Sequence, residues 1–252
     1  MYYQDLGEGY PLILVHGLAS DHTVWEGLTP LLSRDYHVFA VNLRGHGQSS
    51  NTPGPYSIEL FSEDIYRFLT SLGIEQAHFM GHSMGGAVLQ ELSLHFPEKF
   101  RSLTLISSFA HVDPPVQKVF LNLQKILTEE GFEAFFDSSL QLANSPQFLD
   151  RNQELFLKIR DEMAETISID SLKNTIKACC QVNLIDSLKN VEIPTLVIAG
   201  AKDQFIPPNH SIRISERIPH SEIRIIPDAS HNLLVESPME TYSILKNFLD
   251  SL

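Results

Sequence analysis

The sequence predicts an α/β fold, a mostly parallel, doubly wound sheet with a helical cap inserted between two of its strands. Short apolar runs recur along the chain, each the length of a buried strand. Amphipathic stretches long enough to be crossover helices lie between several of them. The alternation breaks once, from about Asp113 to Leu188, where helical patterns follow one another with no strand between them.

The strand candidates are "PLILVHG" (11–17), "HVFAVNL" (37–43), "AHFMG" (77–81), "SLTLISS" (102–108), "PTLVIAG" (194–200) and "EIRIIPD" (222–228). They are rich in Val, Ile, Leu and Phe and mostly lack polar alternation, as strands covered on both faces do. The first long crossover helix carries Ile58, Phe61, Ile65, Phe68 and Leu69 at helical spacing, with Ser57 placed to cap its start and Gly73 its end. A second, "GAVLQELSLHF", aligns Val88, Leu89, Leu92 and Phe96 and is closed by Pro97. Within the insertion, Val116, Val119, Phe120, Leu123, Ile126 and Leu127 form one apolar stripe, and three further helical patterns follow. Such an insertion is expected over the carboxyl edge of the sheet, where ligands bind in these folds. The expected division is a core of residues 1–112 and 189–252 and a cap of residues 113–188.

Composition narrows the function. With 43% hydrophobic and 19% charged residues, the 252-residue chain sits in the ordinary globular range. Its 31 acidic against 18 basic residues, a formal charge of −13, argue against nucleic acid or an anionic membrane as partner, since both require a basic footprint. A neutral or weakly polar small molecule fits better. No segment approaches the roughly 20 apolar residues that span a bilayer, and the N-terminus lacks a basic n-region, so a cytoplasmic location is expected. The adjacent Cys179 and Cys180 can neither clip a long loop nor make a four-ligand metal site. No metal or organic cofactor is called for, and a monomer or small homo-oligomer is expected.

The chemistry is concentrated at "AHFMGHSMGG", where Ser83 stands between Gly81 and Gly85 as G-x-S-x-G. A serine hydroxyl becomes a nucleophile when a base, usually histidine, contacts it. The motif gains meaning when a strand precedes it and a helix follows, because the serine then sits on a sharp, strained turn. Both are present here. Met84 N–H, at the start of that helix, is the first candidate oxyanion donor, and Leu18 N–H, after His16-Gly17 at the end of the first main strand, is the second.

Among the 11 histidines, His231 follows the last strand candidate in a short loop before the final amphipathic helix, where a base could reach back over the sheet edge. Asp203 follows an apolar strand and is the first candidate for the acid that orients it; Asp113 and Asp228 are rivals. Ser83, Asp203 and His231 then run in the chain order of the hydrolase elbow arrangement. "RGHGQSS" (44–50) reads as a glycine-supported loop bracing the site; it lacks the Lys-Ser/Thr ending of a phosphate loop.

Taken with "LVHG", Trp25, "NLRGHGQSS", "GHSMGG", "GAKDQFIPP" and "ASHN", the chain resembles the α/β-hydrolase fold superfamily over nearly its whole length. Within it, the run from "RGHGQS" to "GHSMGGAV" is similar to small bacterial esterases and lactonases, including 3-oxoadipate enol-lactonases. Relatives usually carry an aspartate where this chain has Asn42, and a glycine where it has Ser230. The resemblance implies a carboxylic ester or lactone hydrolase, with Ser83, Asp203 and His231 catalytic and Leu18 and Met84 holding the oxyanion. The helical cap, with Phe120, Phe132, Phe135, Phe136 and Phe148 among its apolar residues, is expected to line the acyl or alcohol pocket, and Gly17, Trp25 and His82 are expected to join Phe120 and Phe136 in binding substrate. The other readings of the same scaffold are a carbon–carbon bond hydrolase or lyase and a small-molecule receptor.

Overall fold

The computed structural model describes all residues from Met1 to Leu252. Its seven-stranded sheet consists of β1 (Tyr3–Leu6), β2 (Tyr10–Val15), β3 (Tyr36–Val41), β4 (Ala77–His82), β5 (Phe100–Ile106), β6 (Thr195–Gly200) and β7 (Ser221–Ile226), in the order β1-β3-β2-β4-β5-β6-β7. Only β1 is antiparallel to its neighbour. It was not legible as a strand, because its four residues YQDL are mostly exposed and form no apolar run. The chain passes from β2 to β3 on one side and continues with β4 on the other, so the carboxyl ends of β2 and β4 form the topological switch point where ligands bind in such sheets.

The missing polar alternation has its cause in two-sided burial. Ile13, Val15, Phe79, Leu103, Leu105 and Val197 face one apolar cluster, while their neighbours Leu12, Leu14, Met80, Ile106, Leu196 and Ile198 face another. The short α1 (Thr29–Leu32) follows a 3-10 turn at His22–Trp25. Helix α2 (Ile58–Ser71) starts where Ser57 Oγ accepts the Leu60 N–H at 3.1 Å and ends before Gly73, whose φ of 68° suits glycine. Helix α3 (Met84–His95) packs against both α2 and the sheet and is buried over most of its length.

Five helices stand between β5 and β6: α4 (Pro114–Glu129), α5 (Phe132–Ala143), α6 (Pro146–Arg151), α7 (Gln153–Thr166) and α8 (Ile169–Cys180). The strands of chain that enter and leave the insertion pair briefly: His111 bridges Asn183, and Val112 N–H donates to Val182 O at 3.2 Å. Phe120, Leu123, Phe135 and Ile176 of the insertion belong to the same apolar cluster as Val15, Phe79 and Leu105 of the sheet. By contrast, α6 and α7 contribute no buried residue. Helices α9 (Asn209–Arg217), α10 (Leu233–Glu236) and α11 (Pro238–Leu249) complete the chain, the last two packing on the second cluster.

Because insertion and sheet share one core, a cavity in the insertion is expected to destabilise both together. Ile176→Ala, at a fully buried site, should cost about 2–5 kcal/mol and lower the melting temperature while keeping a single cooperative transition. An early, separate melting step in calorimetry would contradict this.

Candidate active site

Strand β4 ends at His82 and α3 begins at Met84, so Ser83 alone makes the turn, with φ 53° and ψ −118°. Such backbone angles cost a non-glycine residue on the order of 1–3 kcal/mol and persist only where the surroundings enforce them. Here they do. Ser83 N–H donates to Ile106 O at 2.8 Å, and Ser83 O accepts Ser108 Oγ–H at 2.8 Å and Gly86 N–H at 3.0 Å. Buried Gln90 braces the turn from behind, its Nε2 donating to Gly86 O at 3.1 Å and Ser108 Oγ at 3.3 Å. The flanking glycines are required by close approach: a β-carbon on Gly81 would lie 2.6 Å from the backbone of Gly85, and one on Gly85 would lie 2.3 Å from Val15 O.

The loop after β2 closes on the same turn. A β-carbon on Gly17 would stand 3.1 Å from Ser83 Cβ, which puts Leu18 at the edge of the elbow with its N–H undonated within the chain. Met84 N–H, as the first of α3, lacks an intrahelical acceptor. His16 fixes this loop from below, its Nδ1–H donating to Gly17 O at 2.8 Å while its Nε2 accepts Leu43 N–H at 3.0 Å. Burial and the neighbouring His46 push the His16 imidazole down to about 3, so it is neutral. Asn42 Oδ1 accepts His22 N–H at 2.8 Å and lies 3.0 Å from His22 Nδ1, tying the segment after this loop to the end of β3. Arg44 reaches α2 through a bidentate pair with Asp64, at 2.5 and 2.6 Å, so "RGHGQSS" is braced from outside the site.

Asp203 follows β6, and its Oδ1 accepts Phe205 N–H at 2.9 Å and Ile206 N–H at 2.8 Å. Its Oδ2 lies 2.7 Å from His231 Nδ1, and both residues are buried. A carboxylate can only accept, so Nδ1 carries the proton and Nε2 is left as the basic nitrogen. Of the three candidate acids, Asp203 is therefore the one beside this imidazole. Asp113 instead caps α4, accepting Val116 N–H at 3.1 Å, and Asp228 pairs on the surface with Lys202 at 2.7 Å. Gly200 lets the histidine loop cross the end of β6, since a β-carbon there would lie 2.2 Å from Ser230 O.

Other expected site residues divide. Phe120 packs its ring 5.9 Å from Phe205, whose ring lies 5.0 Å from His231. Phe136 packs on Phe132 inside the insertion, at 5.9 Å. His82 stands against His231: its Nε2–H donates to His231 O at 3.1 Å, its ring lies 5.0 Å from that of His231, and its Nδ1 faces Gly17 beside Ser83. Its burial, reinforced by His231, pushes its imidazole down to about 3. Trp25 departs from the expected pocket: it is fully buried in the second cluster with Leu28, Leu32 and Leu234, where a large ring fills space between sheet and helices. Three further residues went unrecognised, Gln90, Ser108 and Glu236. Gln90 had a signal, a polar side chain in the middle of an otherwise apolar helix pattern.

Trp25→Phe should lower the melting temperature yet leave kcat and KM for a small ester within about twofold, whereas a loss confined to KM would return Trp25 to the pocket. His16 and His82 bind no proton in the folded state until well below the value of about 6.5 that holds when unfolded. The unfolded chain therefore gains protons first, and stability, fully present above pH 6.5, falls as pH drops toward 3. Urea melts at pH 7 and pH 5 should differ by on the order of 1 kcal/mol per pH unit below 6.5 for each histidine, and by less in His82→Gln.

Comparison with known proteins agrees with this architecture. A model of the alpha/beta hydrolase fold family matches residues 10–238. A solved hydrolase from Pseudomonas aeruginosa is 30% identical, with a TM-score of 0.90 over 98% of this chain and 93% of that one. The 3-oxoadipate enol-lactonase 2 of Acinetobacter baylyi is 29% identical over 90% of this chain and 84% of its own length. A RutD protein of Caulobacter sp. (strain K31), provisionally named a carbamate hydrolase, is 26% identical over 94% of this chain and 90% of its own length. The model of the family covers most of the sequence, and strands β2 to β7, the turn at Ser83 and the histidine loop all lie within the matched span: the chain belongs to the alpha/beta hydrolase fold family and is a hydrolase of that fold.

Proposed function

We propose that the protein is a serine hydrolase acting on neutral carboxylic esters or lactones through an acyl-enzyme. The observation that carries this reading is the strained turn at Ser83 on the same sheet edge as the buried His231–Asp203 pair, with the loop at Gly17 closing on the serine. In this mechanism His231 Nε2 takes the proton from Ser83 Oγ as the oxygen attacks the carbonyl carbon. The tetrahedral oxyanion accepts hydrogen bonds from Leu18 and Met84 N–H. His231 then returns the proton to the leaving alcohol, and a water activated by the same imidazole cleaves the acyl-enzyme. Asp203 keeps Nδ1 protonated and stabilises the imidazolium. Each oxyanion donor contributes about 3 kcal/mol of transition-state stabilisation.

The insertion, residues 113–188, acts as a cap over this edge. Its Met163 and Ile167 share a small cavity with Ser20 and Asp21 of the loop after β2. Phe109, Phe120 and Phe205 give the neighbourhood of His231 an aromatic wall. Of the insertion's cations, Lys118, Lys125, Arg151, Lys158 and Lys177 are exposed, Lys173 is half-buried, and Arg160 is engaged with Asp137 and Asp161. An anionic substrate would therefore meet an acidic protein, with its charge −13, and these cations already solvated or paired. Neutral substrates fit, and the lactone and carbamate chemistries of the relatives involve attack on a comparable carbonyl.

Ser83→Ala should abolish hydrolysis of p-nitrophenyl acetate with an unchanged circular dichroism spectrum, and Asp203→Asn should lower kcat by about four orders of magnitude. In a panel of neutral esters, a neutral lactone, an anionic lactone and a carbamate, kcat/KM should be highest among the neutral esters and lactone. Retained activity in Ser83→Ala would overturn the mechanism, and preference for the anionic lactone would overturn the substrate class.

A further inference from the structure

His231 lies in a loop whose backbone is held at three successive residues. Ser230 N–H donates to Glu236 Oε2 at 2.9 Å, His231 O accepts the His82 Nε2–H at 3.1 Å, and Asn232 N–H donates to Ala143 O at 2.9 Å. The first and third of these lead to the insertion. The other carboxylate oxygen of Glu236, Oε1, accepts Ser145 N–H at 2.5 Å, and Asn232 Nδ2–H donates to Asn144 Oδ1 at 3.2 Å. Ala143, Asn144 and Ser145 form the turn between α5 and α6, and Ser145 Oγ also accepts Phe148 N–H at 3.3 Å at the start of α6.

Glu236 is thus a half-buried carboxylate shared by two backbone N–H groups, one in the histidine loop and one in the insertion. Hydrogen bonds to an ionised acceptor are roughly twice as strong as neutral ones, and two such bonds to one rigid group set both position and angle. The arrangement has a direction. Helices α6 and α7 have no fully buried residue and touch the core only through the partly buried Ile159 and Met163, so they are the part of the insertion least restrained by packing, and Ser145 is where they join α5.

We propose that Glu236 is a positioning residue for the reaction: through Ser230 N–H it sets the reach of the His231 imidazole toward Ser83, and through Ser145 N–H it makes that setting depend on the seating of α6 and α7. This rests on Ser83 and His231 acting as nucleophile and base. The carboxylate does not touch the reacting atoms. Removing one of its two acceptor oxygens loosens the base in the plane of the sheet edge, where a displacement of about 1 Å can cost a hundredfold in rate. Because the carboxylate acts on the position of His231, the loss is expected on kcat.

Glu236→Gln keeps the shape and one acceptor oxygen but turns an N–H donor toward the second backbone N–H. With p-nitrophenyl acetate it should lower kcat by about tenfold to a hundredfold with KM within about twofold, and should slow phosphonylation of Ser83 by a fluorophosphonate in parallel. Ser145→Pro deletes the insertion-side N–H of this clamp, at a φ of −69° that proline adopts, together with the Oγ cap on Phe148, and should reproduce part of the kcat loss, whereas Ser145→Ala, which removes the cap alone, should leave kcat within about twofold. Ser145→Pro keeps the proposal open to refutation if Glu236→Gln fails to fold. Normal kcat in folded Glu236→Gln or Ser145→Pro, or a loss confined to KM, overturns the proposal. Ser83→Ala run beside them separates the two failures: if it is inactive while Glu236→Gln is normal, only the positioning role falls, and if it stays active the nucleophile itself is misassigned.

Discussion

Everything at this site hangs on one residue held in a backbone conformation it would not choose. Ser83 turns the chain from β4 into α3 at φ 53°, and the cost is met by hydrogen bonds from both sides and by glycines where a β-carbon would strike the neighbouring backbone. The strain has two consequences. In a G-x-S-x-G turn such strain exposes the serine hydroxyl at the top of the sheet, with the N–H of the next residue beside it. A relaxed strand-to-helix connection would need several residues and would give neither.

The surrounding polar groups are arranged so that little charge is buried. His16 and His82 are held neutral by burial, each with a defined tautomer fixed by a backbone partner. They act as rigid hydrogen-bonding struts beneath the loop after β2 and beneath His231. The one buried carboxylate at the sheet edge, Asp203, is matched by two N–H donors and an imidazole, so its charge is compensated where it sits. In such surroundings the imidazole can change charge during a reaction without reorganising its neighbours, which is the condition for electrostatic preorganisation.

The insertion and the sheet share one packed core. The insertion's inner helices α4, α5 and α8 contribute to it, while α6 and α7 are held by half-exposed contacts. The division follows from burial. Core helices cannot move without opening a cavity, whereas helices with no fully buried residue can shift at smaller cost. The turn at Asn144 and Ser145 lies on the border between the two regimes and is bonded to the histidine loop.

The sequence by itself determined the alternation of strands and helices, the place of the insertion, the elbow at Ser83 and the chain order of the candidate triad. Each depends on patterns within one segment: a two-sided apolar run for β4, a helical stripe for α2, glycines two residues either side of the serine. Tertiary structure decided the rest. Whether Asp203, Asp113 or Asp228 meets His231 is a matter of where strand ends converge, and Trp25 and His82 look equally available in sequence whether they face a pocket or fill a core. Glu236 and Gln90 were invisible for the same reason. Their partners, the N–H groups and carbonyls of residues from other segments, have no side-chain identity to read, and hydrogen bonds to backbone leave no pairwise pattern until the chain has folded.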